Sequence, residues 1–217
     1  MTARRLPDGP DARAEAIRVL QSGGIVAFPT DTVYGIAVSL ETPGGIERLF
    51  AAKERPPDKA IALLIADAAQ AGEIGVLTAG ARLLAEAFWP GGITLVLRRR
   101  AESRLPALAG DGVELETVGL RVPDHDAPRE LARAVGPLPT TSANRSGEPE
   151  AADAQELEAR LGHSLDLILD GGPAHGGPAS TVVDTTADPM RILREGAIPA
   201  AAIDHCLASA RLPGVGR

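Results

Sequence analysis

The residues best placed to do chemistry lie between Ile25 and Lys59. The segment Pro29-Thr30-Asp31-Thr32 puts two hydroxyls and a carboxylate just after a short apolar run, and Lys53, Arg55 and Lys59 follow as a tight group of cations. Hydroxyls and cations of this kind bind and polarise an anionic substrate without forming a covalent intermediate. Elsewhere the inventory is sparse. His125, His163, His175 and His205 lack the partner spacing of a metal site. The glycine-rich stretch 171–177 has no following Lys-Ser or Lys-Thr, so it does not match a phosphate loop, and no Gly-x-Ser-x-Gly elbow is present.

Elements must carry these groups to one place. The run Ile25–Phe28 reads as a buried strand that stops at Pro29, which delivers the following hydroxyls to a sheet end, where open α/β sheets keep their ligands. Thr42 and Pro43 read as an N-cap and first helical residue, with Ile46, Leu49 and Phe50 on one face of the helix and Lys53 one turn on. A lysine continuing an apolar stripe either snorkels to water or points its ammonium into a cleft. Arg55-Pro56-Pro57 ends that helix. Cations at such an end also complement the helix dipole, so position alone leaves both roles open for Lys53 and Arg55.

The remaining pattern alternates helices and strands. A first helix over 10–22, with Ile17 and Leu20 inward, closes at Gly23-Gly24. A strand over 60–65 precedes two helices capped by Asp67 and Thr78, the second presenting Leu83, Leu84, Ala87 and Phe88 to the core. Pro90-Gly91-Gly92 breaks it before a strand at 93–97, and Arg98-Arg99-Arg100 reads as a solvated strand end. Residues 101–116 give only a loop. In the strand 117–122, Arg121 points away from the face of Leu120 and Val122. A helix from Asp126 to Val135, an extended segment after Pro137 and Pro139, a capping box at Asp153 and Glu156, strands at 165–169, 180–185 and 190–194, and a helix over 199–210 complete the chain. Late strands without intervening helices predict an α/β fold on a mixed parallel and antiparallel sheet.

Composition sets the surroundings. The chain has 217 residues, 44% of them hydrophobic and 24% charged, and no low-complexity linker divides it, so a single domain is expected over 1–217 with its core at about 12–204. Cys206 is the only cysteine, which fits a reducing cytoplasm. Neither a membrane-length apolar run nor the apolar stretch of a signal peptide is read, so a soluble protein that is not exported is expected. A net charge of −7 and five aromatic residues argue against broad nucleic-acid binding and against stacking platforms for bases.

Six strings then stand together: Pro29 to Gly35; Lys53-x-Arg55; Thr117-Val118-Gly119-Leu120-Arg121-Val122-Pro123; Ser142-Ala143-Asn144-x-Ser146-Gly147; Ser180-Thr181-Val182-Val183-Asp184; and Leu193-Arg194-x-Gly196. In order and spacing they resemble the YrdC family of threonylcarbamoyl-AMP synthases, over about residues 12–204. The resemblance implies a twisted open mixed sheet with flanking helices and a concave substrate cleft. It also implies that L-threonine, bicarbonate and ATP, with magnesium, give threonylcarbamoyl-adenylate and pyrophosphate. Downstream threonylcarbamoyl-transfer proteins would then carry the group to tRNA.

Carried over by motif, Thr32, Arg121, Thr140 and Ser180 would contact the threonine part. Arg55, Lys59, Thr117, Ser142, Glu150 and Arg194 would line the ATP, with Lys53 and Asn144 facing the phosphates and Lys53 and Arg55 catalytic. No metal ligand is assigned. Three positions depart from the family pattern: Leu64 stands where some members have a histidine near the threonine, Gly92-Ile93 where Pro-Leu is common, and Glu195 where a proline usually follows the arginine. Two other functions fit the same domain. One is a module binding tRNA or double-stranded RNA on its concave face, and the other is a carbamoyl-adenylate enzyme starting from carbamoyl phosphate.

Overall fold

Strand residues of alternating character decide the architecture, because a strand between a helical layer and an open face must send every second side chain each way. A computed structural model of the chain describes residues 2–54, 56, 60–103, 105–108, 115–145, 147–174 and 177–211. In chain order the elements are β1 (Arg4–Pro7), α1 (Pro10–Gln21), β2 (Val26–Phe28), β3 (Gly35–Ala37), α2 (Gly45–Ala52), β4 (Ala62–Leu64), α3 (Ala68–Ile74), β5 (Gly75–Val76), α4 (Ala79–Phe88) and β6 (Ile93–Arg99). They continue with β7 (Thr117–Arg121), α5 (Asp126–Val135), β8 (Leu138–Ser142), α6 (Ala154–Leu161), β9 (Leu167–Asp170), β10 (Thr181–Asp184), β11 (Arg191–Arg194) and α7 (Ala200–Arg211).

Among the described residues the strands form one sheet in the order β1-β9-β2-β3-β8-β4-β7-β6-β10-β11, with β5 paired to the end of β6. The pairs β1/β9, β9/β2, β4/β7 and β6/β10 are parallel and the others antiparallel, which is the mixed α/β sheet expected.

The two faces are treated differently. Ala27, Ile36, Leu63, Leu95, Leu97, Val118 and Leu120 point to one side and bury against Leu49 and Phe50 of α2, Leu84 of α4, Leu157 of α6 and Ile203 of α7. On the other side, Val26, Phe28, Ala37, Leu64, Leu138 and Leu167 pack under Ala12, Ala16 and Leu20 of α1 and Leu131 and Ala132 of α5. Those two helices cover only part of that face. The rest carries Gly35, Ala62, Thr94, Val96, Thr117, Gly119, Arg121, Thr140, Ser142 and Val182, and forms the floor of a cleft.

Local expectations fare unevenly. Asp67 accepts from the amides of Ala69 and Gln70, and Thr78 from that of Ala81, so both caps are as read. Thr42 does not cap α2. The helix begins at Gly45, after Gly44 at φ 66°, and the carbonyl of Thr42 accepts from the amide of Gly45 at 3.0 Å; the glycine pair makes a turn where a cap was expected. In α4 the buried stripe is Ala81, Leu84 and Ala85, while Ala87 is exposed and Leu83 half-buried. His125 caps α5, its Nδ1 accepting from Ala127 at 3.2 Å. Asp153 caps α6, but the carboxylate of Glu156 reaches the amide of Ala152, one residue earlier than a capping box requires. Strands β1, β3 and β5 are two to four residues long and carry too little pattern to be read alone.

Candidate substrate cleft

After β2 the chain turns through Thr30-Asp31-Thr32-Val33. Thr30 Oγ1 accepts from the amide of Thr32 at 3.1 Å and donates to the carbonyl of Val33 at 2.6 Å, a side-chain-stabilised turn. Facing it is Arg121, the last residue of β7 and 6% exposed. Its guanidinium donates from Nη1 to Thr32 Oγ1 at 2.9 Å, from Nη2 to Asp31 Oδ1 at 2.6 Å, and from Nε to the carbonyl of Gly91 at 3.0 Å. Burial is the largest effect on it and pushes its pKa down; Asp31 opposes that, and nearby Arg194 adds to it. A buried arginine needs an anionic partner, and Asp31 supplies part of that need. Two cations around one carboxylate leave the local field favourable to a further anion.

A second wall comes from β6, β10 and β11. The parallel register of β6 and β10 brings Thr94 Oγ1 to 2.8 Å from Ser180 Oγ. Arg194, at the end of β11, donates to the carbonyl of Ser180 at 2.8 and 3.2 Å and more distantly to its hydroxyl at 3.3 Å. Gly196 makes that approach possible: a Cβ there would lie 2.0 Å from the carbonyl oxygen of Ala179.

The third wall is the turn after β8. Lys53, 2% exposed, donates to Thr141 Oγ1 at 3.0 Å, to the carbonyl of Ser142 at 2.5 Å, to its hydroxyl at 3.2 Å and to Asn144 Oδ1 at 3.2 Å. Ser142 Oγ donates to Asn144 Oδ1 at 2.5 Å, and the amide of Asn144 holds the carbonyls of Arg145 and Glu148 at 3.0 and 2.7 Å. Tyr34 ties the floor to the loop after β9, donating to the carbonyl of Gly172 at 2.7 Å and accepting from the amide of Gly171 at 3.1 Å.

These walls enclose one cavity of about 430 Å³, within the range of small-molecule sites. Thr32, Thr117, Arg121, Thr140, Ser142, Glu150, Ser180 and Arg194, all read from the sequence as site residues, line it together. Lys53 and Asn144 stand behind Ser142, outside the lining. Arg194, expected beside the nucleotide, is bonded to Ser180 of the expected threonine group. Arg55 and Lys59 lie outside the described residues.

Thr30, one of the two hydroxyls expected at the sheet end, lines the cleft, and so do Tyr34 and Thr94, which were not read from the sequence as contacts. For Thr94 the signal was the alternation itself. Along β6, Thr94 and Val96 fall on the opposite face from Leu95 and Leu97, as Thr117, Gly119 and Arg121 do from Val118 and Leu120 in β7.

The cleft can be set beside known proteins. The family described as Telomere recombination, which groups Sua5, YciO and YrdC, matches residues 18–196. The threonylcarbamoyl-AMP synthase of Vibrio vulnificus (strain YJ016) is 34% identical over 186 residues, which is 84% of this chain and 97% of its own. That of Bacillus subtilis (strain 168) is 35% identical over 187 residues, 85% of this chain but 53% of its own length. The crystal structure of P. abyssi Sua5 complexed with L-threonine superposes with a TM-score of 0.84 at 32% identity, over 95% of this chain and 60% of that one. The chain therefore spans little more than half of some relatives and nearly all of another.

Proposed function

We propose that this chain, which belongs to the Sua5, YciO and YrdC family, is a threonylcarbamoyl-AMP synthase that joins L-threonine, bicarbonate and ATP and releases pyrophosphate. The observation that carries the reading is a single cavity with two unlike ends. At one, the buried guanidinium of Arg121 is fixed by Thr32, Asp31 and Gly91. At the other, Ser142 is held by Lys53 and Asn144. An amino acid carboxylate suits the first, where a guanidinium with three anchored bonds still has N–H groups to give. Polyphosphate oxygens suit the second, where hydroxyls and a cation converge.

The chemistry asks mainly for alignment. The neutral amine of threonine adds to carbon dioxide derived from bicarbonate, a carbamate oxygen attacks the α-phosphorus of ATP, and the bond to pyrophosphate breaks. Charge spreads over phosphoryl oxygens, so two held reactants and fixed donors supply most of the rate. Arg121 and Thr32 orient the amino acid, Ser180 and Arg194 close its far side, and Ser142 with Thr117 and Glu150 lines the nucleotide. Among the described residues no three His, Cys, Asp or Glu gather. Glu150 in the cleft lining offers one carboxylate, and magnesium arriving on the triphosphate would need only one or two beside phosphates and water.

The site is completed, in this reading, by Arg55 and Lys59 on the nucleotide. The product passes to proteins that transfer the threonylcarbamoyl group to tRNA, in the cytoplasm. Among the described residues no helix is long and apolar enough to cross a membrane.

Pyrophosphate release by the full chain tests this directly. It is expected to require ATP, bicarbonate and an amino acid together, and to be fastest with L-threonine. Turnover with carbamoyl phosphate and none with any amino acid would replace this reading by a carbamoyl-adenylate reaction. Tight, steeply salt-dependent RNA binding with no pyrophosphate release would replace it by an RNA-binding module.

A further inference from the structure

The hydroxyl of Thr30 has every hydrogen-bonding position occupied. Its oxygen donates to the carbonyl of Val33 at 2.6 Å, and the direction is certain because a carbonyl only accepts. One lone pair takes the amide of Thr32 at 3.1 Å. A hydroxyl has a single proton and two lone pairs, so the remaining contact, to Thr32 Oγ1 at 3.1 Å, must use the second lone pair. The proton in that contact therefore belongs to Thr32. Thr32 also accepts from Arg121 Nη1 at 2.9 Å. With its proton turned to Thr30 and one lone pair given to Arg121, Thr32 keeps one lone pair at the cleft wall. The pair Thr94 and Ser180 differs, since either hydroxyl can donate across their 2.8 Å contact.

We propose that Thr30 is a positioning residue that fixes Thr32 as a hydrogen-bond acceptor toward the cleft, so that the bound amino acid must present an N–H or O–H donor to it. The inference rests on the reading of the cleft as an L-threonine site. Both threonines are nearly inaccessible, at 5% and 4% exposure, so no bulk water competes for the arrangement. A ligand offering only an acceptor meets lone pair against lone pair, and a buried mismatch of that kind discriminates far better than a missing methyl group. L-Threonine has two suitable donors, its amino group and its β-hydroxyl, and O-methyl-L-threonine lacks the second.

The test is pyrophosphate release by the full chain carrying Thr30→Val or Thr30→Ser, with L-threonine and with O-methyl-L-threonine. Valine keeps the shape and frees the Thr32 proton; serine keeps the hydroxyl. Thr30→Val is expected to raise the KM for L-threonine tenfold or more while the KM for ATP stays within twofold, and Thr30→Ser is expected to restore both.

If the β-hydroxyl is the donor, the wild type rejects the O-methyl compound more than tenfold and Thr30→Val treats the two alike. If the amine is the donor, Thr30→Val loses equally on both. A wild-type KM for threonine in Thr30→Val, or a Thr30→Ser that stays as impaired, overturns the proposal.

Nuclear Overhauser contacts of the protected hydroxyl protons in the wild type test it whether or not the valine variant folds. They are expected to place the Thr32 proton beside Thr30, and a Thr32 proton directed into the cleft overturns it. A wild type that releases no pyrophosphate with any amino acid overturns the functional reading instead.

Discussion

Lys53 and Ser142, far apart in sequence, meet through two bonds: the lysine ammonium donates to the serine carbonyl at 2.5 Å and to its hydroxyl at 3.2 Å. Thr141 and Asn144 take further bonds from the same nitrogen, so one buried cation sets the shape of the segment 141–144. In the proposed function such a lysine would act on the nucleotide through the loop it holds.

Lys53→Met keeps the aliphatic stem and deletes the donor. It leaves Ser142 O, Thr141 Oγ1 and Asn144 Oδ1 each a bond short, at a cost of ~1–3 kcal/mol for a buried group left unpaired. The expected outcome is at least a tenfold weaker Kd for ATP, by calorimetry, together with a Tm lower by roughly 2–4 °C per kcal/mol. Unchanged ATP affinity in a folded variant would show that the loop needs no pin.

Arg121→Lys keeps the charge and loses the planar fork that reaches Thr32, Asp31 and Gly91 at once. The KM for L-threonine should rise at least tenfold, with the KM for ATP within twofold. Steady-state kinetics varying each substrate in turn separate the two, and an equal rise in both would place Arg121 on the nucleotide.

Leu64 lines the cleft, pairs with Arg121 across the parallel β4/β7 register and is buried. An apolar wall discriminates by only about 1–3 kcal/mol per methyl group, whereas a lost hydroxyl partner costs more. Pyrophosphate release in bicarbonate buffer should therefore rank threonine first, serine second and valine last. Valine matching threonine would mean that nothing in the cleft reads the hydroxyl.

Tyr34 is fully buried, and its hydroxyl both donates to Gly172 and accepts from Gly171. Burial pushes its pKa up, so it remains a neutral donor at ordinary pH. Tyr34→Phe strands two backbone groups and should cost ~1–3 kcal/mol in urea unfolding with an unchanged m-value. A loss below a few tenths of a kcal/mol would mean that the Gly171–Gly172 loop finds other partners.

Sequence alone put Arg121 on the opposite face from Leu120 and Val122 and the hydroxyls after Pro29 at a strand end, while the resemblance to a known family named Thr117, Thr140, Ser142, Glu150, Ser180 and Arg194. The first two are local patterns, since period-2 alternation belongs to one strand and a strand end is marked by its own proline. The Asp67 and Thr78 caps were legible for the same reason, since a cap involves only the next three residues. The Thr42 cap was misread because Gly44 at positive φ moved the helix start, a backbone preference that competes with the cap over the same few residues.

Only the tertiary structure decided which face stays bare. Alternation says that Thr94 and Val96 share a side, but α1 and α5 cover that side over β2, β9 and Leu138 at the start of β8 and leave it open over β6, β7 and β10, and this follows from strand order. The same holds for Thr94 with Ser180, 86 residues apart, and for Lys53 with Ser142, 89 apart. Contacts of that span depend on register between strands and on a helix docking across them, which no local pattern encodes, and so the chain had to be folded before its cleft had walls.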